Sequence, residues 1–370
     1  MSNVTQIYER TLEHFLRPVG EFLNDPTVSE VMINGFDEVY IERRGLLERT
    51  DASFGDATAL EAAVRNIAQF VGKRLTPETP SIEARLPNGS RVHIVQAPAA
   101  RKGLCVTIRK FEKKKLDLQS LIDRGSVSEE AAEFLGICVS LAKNIIVSGG
   151  TGSGKTTLLN CLSGLISPDE RIIVLEDSSE LQLQQEHVLP FEAQAPDRNG
   201  RGGITIRDLF RASLRMRPDR IIVGECRGGE ALDMIQAMTS GHSGSLSTCH
   251  ANTPLDALNR LETMALMAGV EIPLFALRSQ VASAIDLIVQ ISRFADGARR
   301  LTHISEVLPL SENSSYQAQD VFLYDPAAAR RKGIEAPQLA WTGAQPTFRA
   351  QPFVSGLAER IDKTEAVWAE

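Results

Sequence analysis

Long apolar runs are missing from this chain. No stretch of about 18 consecutive apolar residues occurs, so no segment is suited to cross a bilayer as a helix. Glu9, Arg10, Glu13 and Arg17 interrupt the first twenty residues where a secretory signal needs an apolar centre, so none is expected. Aromatic residues make up only 5%, and 40 Lys+Arg stand against 47 Asp+Glu for a net charge of −7. A nucleic-acid binder works through a basic excess or through aromatic stacking, and the composition weighs against both. Cysteine is sparse too. Cys105, Cys138, Cys161, Cys226 and Cys249 are odd in number and show no CxxC spacing, which fits reduced thiols better than a disulfide frame. The chain reads as soluble and intracellular.

What is present is ordinary globular material. The 370 residues are 43% hydrophobic and 24% charged, enough for two or three domains with cores of their own. Val4, Ile7, Leu12, Phe15, Leu16, Val19 and Phe22 recur at near-helical spacing and predict a helical segment over 1–24, split at Pro18. Short β-like runs follow (VMIN, VYIER, LLERT), then a helix stripe at Leu60, Ala63, Val64, Ile67, Phe70 and Val71. SIEARL and RVHIVQ flank Pro87-Asn88-Gly89 as a hairpin, and LCVTIRK adds another strand, so 25–109 reads as a small α+β domain. The lysine-rich stretch 110–118 reads as a solvated linker. From 119 to 325, fully apolar short runs such as NIIVSGG, RIIVLED and RIIVGE alternate with helix-like segments. That texture belongs to a parallel sheet covered on both faces, an α/β domain. The tail 326–370 is rich in Ala, Pro and Gln, has weak periodicity, and receives no fold assignment.

Gly149-Gly150-Thr151-Gly152-Ser153-Gly154-Lys155-Thr156 matches GxxxxGK[ST], directly after the apolar run Ile145–Val147 and before a helix-like stretch. Glycines let backbone N–H groups converge on phosphate oxygens, and the helix N-terminus adds partial positive charge. Gly150 through Lys155, with Thr156 and Thr157, are the expected nucleotide ligands. Lys155 would reach the β- and γ-phosphates, and the Thr156 hydroxyl would ligate Mg²⁺. Acidic residues at neighbouring strand ends complete such a site. Glu225 ends the run RIIVGE and is the expected water-orienting base, although Gly224 stands where many such ATPases carry Asp. Glu176, with Asp177 or Glu180, is expected to serve Mg²⁺ or substrate positioning.

Beyond this loop the order of motifs resembles the ATPases of type II and type IV secretion and pilus assembly. The carriers are IIVLEDSSEL, LRMRPDRIIVGECRGGEALDMIQAM and TSGHSGSLSTCHAN. The wording of RMRPDRIIVGE, LETMALMAG, ASAIDLIVQISR, SEVMINGFDEVYIERRGLLE and ARLPNGSRVHIV is most similar to the tight-adherence (Tad/Flp) pilus motor branch. The resemblance spans roughly residues 25 to 308 and implies a RecA-like P-loop core behind an α+β domain. It implies His250 as a phosphate sensor with His242 as its partner. It also implies Arg85, Arg91 and Arg109 as groups that approach the triphosphate, some across a subunit boundary, where a planar guanidinium suits a transferring phosphoryl. Arg215, Arg217 and Arg227 are expected in ion pairs. Metal ligation by Cys249 with His250 is set aside, because adjacent residues rarely share one metal. The implied function is a hexameric ATP hydrolase at the cytoplasmic face of the inner membrane, pushing on a platform protein through nucleotide-driven domain motion. Two other readings stay open here: a nucleic-acid-translocating motor, and a regulatory subunit that binds nucleotide without hydrolysing it.

Overall fold

The computed structural model describes residues 3–111, 116–196, 200–327 and 338–369. Lys113, Lys114 and Lys115 of the expected linker, and residues 328–337 of the tail, lie outside them. Two compact units divide at Lys115/Leu116, and the short segment Ala295–Ala298 groups with the first.

The first unit opens with α1 (Asn3–Phe15), a single 3₁₀ turn at Arg17–Val19 holding Pro18, and α2 (Gly20–Asn24). Pro18 has no N–H to continue a helix, and it sits at the start of the new turn where none is needed. Then come β1 (Val28–Asn34), β2 (Val39–Arg43), β3 (Leu46–Arg49), α3 (Ala57–Phe70), β4 (Ser81–Arg85), β5 (Arg91–Val95) and β6 (Cys105–Arg109). The six strands form one antiparallel sheet in the order β3-β2-β1-β6-β5-β4. In β4, β5 and β6 the alternation is strict. Ile82, Ala84, Val92, Ile94, Val106 and Ile108 are buried with Leu60, Val64 and Ile67 of α3, while the intervening residues make a polar face. Lys110 is no linker residue: its ammonium donates to the carbonyls of Phe22 and Asp25, tying the last strand to the end of α2.

The second unit runs α4 (Leu118–Asp123), α5 (Glu129–Ser140), β7 (Ile145–Ser148), α6 (Lys155–Ser163), β8 (Ile172–Glu176), β9 (Val188–Glu192), α7 (Ile206–Ser213), β10 (Arg220–Val223), α8 (Glu230–Thr239), β11 (Leu246–Cys249), α9 (Pro254–Leu266), α10 (Leu274–Ala284), β12 (Leu287–Arg293), β13 (Arg299–Leu308), β14 (Gln317–Leu323) and β15 (Ala340–Trp341). Sheet order is β15-β14-β13-β12-β7-β11-β10-β8-β9. The strands from β12 to β9 are mutually parallel, and β13, β14 and β15 extend the sheet antiparallel. Apolar runs without alternation are what such a centre needs. Ile145 and Val147 pack with α5 and α6, and Ile146 packs with α8, α9 and α10. The chain leaves β7 for one side of the sheet and returns on the other as β12. That reversal places a ligand crevice at the C-terminal end of β7.

The tail, which the sequence left without a fold, joins this core. Phe348, Val367 and Trp368 are buried with Phe134 of α5, and the Phe134 and Trp368 rings stack at 5.0 Å. Glu133 accepts from the backbone N–H groups of Asp362, Lys363 and Thr364 at about 3 Å.

Candidate active site

Gly149 follows β7 where only glycine fits. A Cβ there would fall 2.3 Å from the Ile291 carbonyl oxygen and 2.6 Å from Ser153 Oγ. Gly152 (φ +68°) and Gly154 (φ +99°) adopt left-handed backbone, which curls the loop over the start of α6. Ser153 Oγ donates to the Gly150 carbonyl at 2.8 Å and fixes the curl. α6 has no side-chain cap at Gly154, so the N–H groups of its first turn, including those of Thr156 and Thr157, remain for an anion. Lys155 is buried, and its ammonium donates to the Gly150 carbonyl at 2.9 Å.

Parallel pairing carries two more groups to this loop. His250 is the residue after β11, the strand beside β7, and Glu225 lies two residues past β10, the next strand over, so both leave strand ends on the same edge of the sheet as the loop. Lys155 Nζ lies 3.4 Å from each ring nitrogen of His250. Being equidistant, the cation sits beside the ring without pointing along either lone pair. His250 Nε2 stands 2.7 Å from Glu225 Oε1. The approach is off the hydrogen-bonding line, so the buried Oε1 keeps no hydrogen-bond partner. Glu225 Oε2 is held by Arg227, whose Nε donates at 2.6 Å, and Arg227 Nη1 lies 3.4 Å from Asp177 Oδ2. Burial, then the Lys155 charge, hold the His250 imidazole below its ordinary pKa against the pull of Glu225, so it stays neutral beside the lysine.

Glu176 turns inward. The last residue of β8 is buried, and its Oε1 accepts the N–H groups of Glu180 and Leu181 at 2.9 Å each. Burial pushes its carboxyl above the usual range. It braces its own loop from inside, and Glu180 contributes a backbone N–H to that brace. Glu176 also accounts for the Gly224 departure: a Cβ at 224 would lie 2.9 Å from Glu176 Cγ. Among the described residues, no cluster of three or more His, Cys, Asp or Glu side chains could enclose a metal. Oxygen donors that suit Mg²⁺ are the Thr156 hydroxyl at the loop and Asp177, which is linked to Glu225 through Arg227 and, unlike Glu176, is largely exposed.

His242 is not brought to the site. It precedes β11 whereas His250 follows it, so roughly 13 Å of strand separates them. The glycine beside it serves packing: a Cβ on Gly244 would lie 1.7 Å from the Arg220 guanidinium, which runs beneath it to Glu170. Arg85, Arg91 and Arg109 belong to the first unit and form one row on its polar face. Arg85 faces Arg91 across β4–β5, and Arg91 faces Arg109 across β5–β6. Like charges directly opposite are unfavourable. Arg91 is relieved by Glu83 at 2.8 Å, and Arg109 lies 4.0 Å from Glu30.

Two residues that sequence reasoning passed over touch the loop. Arg299 Nε donates to the Gly152 carbonyl at 2.9 Å, and Arg293, its partner across β12–β13, reaches toward Gly152 as well. The available signal was a pair of arginines bracketing Asp296-Gly297, a hairpin centre that a sheet must bring to some neighbour.

Residues 13–332 match the family model described as type II/IV secretion system protein. The chain is 35% identical over 283 residues to a putative conjugal transfer protein of Mycobacterium tuberculosis, covering 75% of this chain and 80% of that protein. It is 35% identical over 326 residues to the type IV secretion system protein PtlH of Bordetella pertussis, covering 81% and 96%. The structure of the pilus retraction motor PilT with bound ADP shares the fold, with a TM-score of 0.52 at 17% identity over 82% of this chain and 84% of that one.

Proposed function

The chain belongs to the type II/IV secretion system protein family, whose shared activity is ATP hydrolysis, and we propose that it is the ring-forming motor of a pilus-assembly or secretion machine. The observation that carries this reading is the meeting of Lys155, His250 and Glu225 at adjoining strand ends, beside a glycine loop shaped for phosphate. Lys155 now spends a hydrogen bond on the Gly150 carbonyl. A triphosphate entering the loop offers it a stronger, charged acceptor. Once Lys155 turns to phosphate, neutral His250 is left facing Glu225 and the attacking water. Glu225 then takes the water proton as general base, provided Arg227 releases its other oxygen. Mg²⁺, held by Thr156 and Asp177, would neutralise charge on the phosphates.

In this reading the row of Arg85, Arg91 and Arg109 supplies cations to the triphosphate of a neighbouring subunit. Six copies close the ring, and the connection that follows Lys110 is the pivot between units. Such a motor acts from the cytoplasmic face of the inner membrane on a platform protein. Among the described residues no helix is long and apolar enough to cross a membrane, which fits docking through a partner. The tight-adherence pilus is the machine we favour, on the wording of RMRPDRIIVGE and ASAIDLIVQISR. The names of the matched relatives make a type IV secretion or conjugal-transfer machine the other setting, and pilin and prepilin-peptidase genes beside this one would decide for the pilus. The biochemical test is phosphate release by the purified protein and by Glu225→Gln. The wild type should turn over ATP, and the variant should bind ATP while losing about 10²–10⁴ in kcat. A wild type without turnover defeats the motor reading.

A further inference from the structure

β12 is apolar where it crosses the sheet centre, except at Gln290. This side chain is 1% exposed, on the face that carries Ile288 and the α8–α10 packing. A buried amide is unfavourable unless hydrogen-bonded, and Gln290 uses its donors fully. Its Nε2 donates to the carbonyls of Ala251 and Asn252, both at 3.1 Å. Those carbonyls lie between the end of β11 and the Thr253 cap of α9, outside the helix and the sheet ladder. They are the two residues directly after His250.

The acceptor half of the same amide behaves differently. Gln290 Oε1 is buried with no hydrogen-bond partner, and so is the hydroxyl of Ser148, its neighbour in register at the end of β7. A methionine would fill the same volume without an orphaned oxygen, so packing alone does not explain an amide here. What only the amide supplies is the pair of donors aimed at the histidine loop. Because β7 lies between β12 and β11, Gln290 reaches past the root of the phosphate loop to hold the loop bearing His250.

We propose that Gln290 is a positioning residue for ATP hydrolysis: it pins residues 251 and 252 so that the His250 imidazole stays between Lys155 and Glu225. The inference rests on the hydrolytic roles given above to those three residues. His250 stands 2.7 Å from Glu225 and 3.4 Å from Lys155, and drift of an ångström removes it from contact with either. Misplacement on that scale costs on the order of 10- to 100-fold in rate.

The test combines Gln290→Met with His250→Ala. Gln290→Met should keep its melting cooperativity and bind a fluorescent ADP analogue within about twofold of wild type, while kcat falls roughly 10- to 100-fold and KM changes little. In the His250→Ala background the same substitution should produce no further fall, because it acts through the missing imidazole. Ile288→Val, a core change on the same strand that removes no hydrogen bond to the histidine loop, should leave kcat within about twofold. The proposal is overturned if folded Gln290→Met keeps wild-type kcat, or if its effect multiplies with that of His250→Ala. Should Gln290→Met fail to fold, Gln290→Asn keeps an amide but withdraws the donors, and the same two outcomes decide. Absent turnover in the wild type would defeat the hydrolase reading instead, which separates the two failures.

Discussion

Truncating Trp368 to alanine probes whether the tail is part of the ATPase unit's core. Trp368 is fully buried. Its ring stacks on Phe134 at 5.0 Å and 21° and packs tilted against Phe348 at 6.0 Å, and its indole N–H donates to Thr364 Oγ1 at 2.9 Å. Removing a buried Trp side chain costs about 3–5 kcal/mol, the lost transfer energy plus the cavity left behind. Two features place this case near the lower figure. Thr364 Oγ1 still donates to Glu133, so no hydroxyl is stranded. Trp368 also lies in a last short helix, Glu365–Trp368, that can shift to close the gap. For a unit of this size about 3 kcal/mol lowers Tm by roughly 6–12 °C. Calorimetry at fixed nucleotide concentration reads it, with the first unit's transition as the internal reference that should not move. Trp368→Phe should recover most of the loss, since the stack on Phe134 survives. ATPase activity at 25 °C should stay near wild type, because the partners of Trp368 are Phe134 of α5 and Phe348 and Thr364 of the tail. A Tm shift under about 2 °C would refute the packing argument. Lost activity at unchanged Tm would show that the tail acts on the site and not on stability.

Mixed rings test the arginine row. Arg91→Ala and Lys155→Ala subunits should each be nearly inactive, since an arginine finger is worth about 10³–10⁵ in rate. Together they should regain activity wherever an intact loop meets an intact arginine, and no rescue in confirmed mixed rings would mean each arginine serves its own subunit. The pH dependence of His250 gives another check. Its folded pKa is depressed below 6.5 by burial and then by Lys155, so the unfolded chain takes up the proton first as pH falls. Its contribution to stability is therefore complete above the unfolded value and is lost as pH drops through the folded one. The acid limb of kcat/KM should likewise lie below the ordinary imidazole range. Denaturation midpoints and rates of wild type and His250→Gln, compared across that window, should diverge, and identical profiles would contradict a neutral histidine at the site.

The phosphate loop was legible from residue order because its chemistry is local. Eight consecutive residues supply the curl, the lysine and the helix start, and the left-handed turns at Gly152 and Gly154 need no distant partner. The parallel sheet was legible for a related reason: strands buried on both faces have no polar side to show, and RIIVLED or RIIVGE admits little else. The rest depended on which strands became neighbours. His242 and His250 read as one box, yet a strand lies between them and separates them lengthwise, while His250 meets Glu225 because β10 and β11 pair side by side. Adjacent carboxylates diverged as well. Glu176 is drawn inward to two backbone N–H groups, and Asp177 faces outward to Arg227. Gln290 is one polar residue in an apolar strand, and its meaning appears only when β12 lies beside β7 with the histidine loop one strand beyond. The tail shows the same limit most clearly. Phe348 and Trp368 are too far apart for any periodicity, and the surface that orders them, α5 with Phe134 and Glu133, lies more than two hundred residues earlier in the chain.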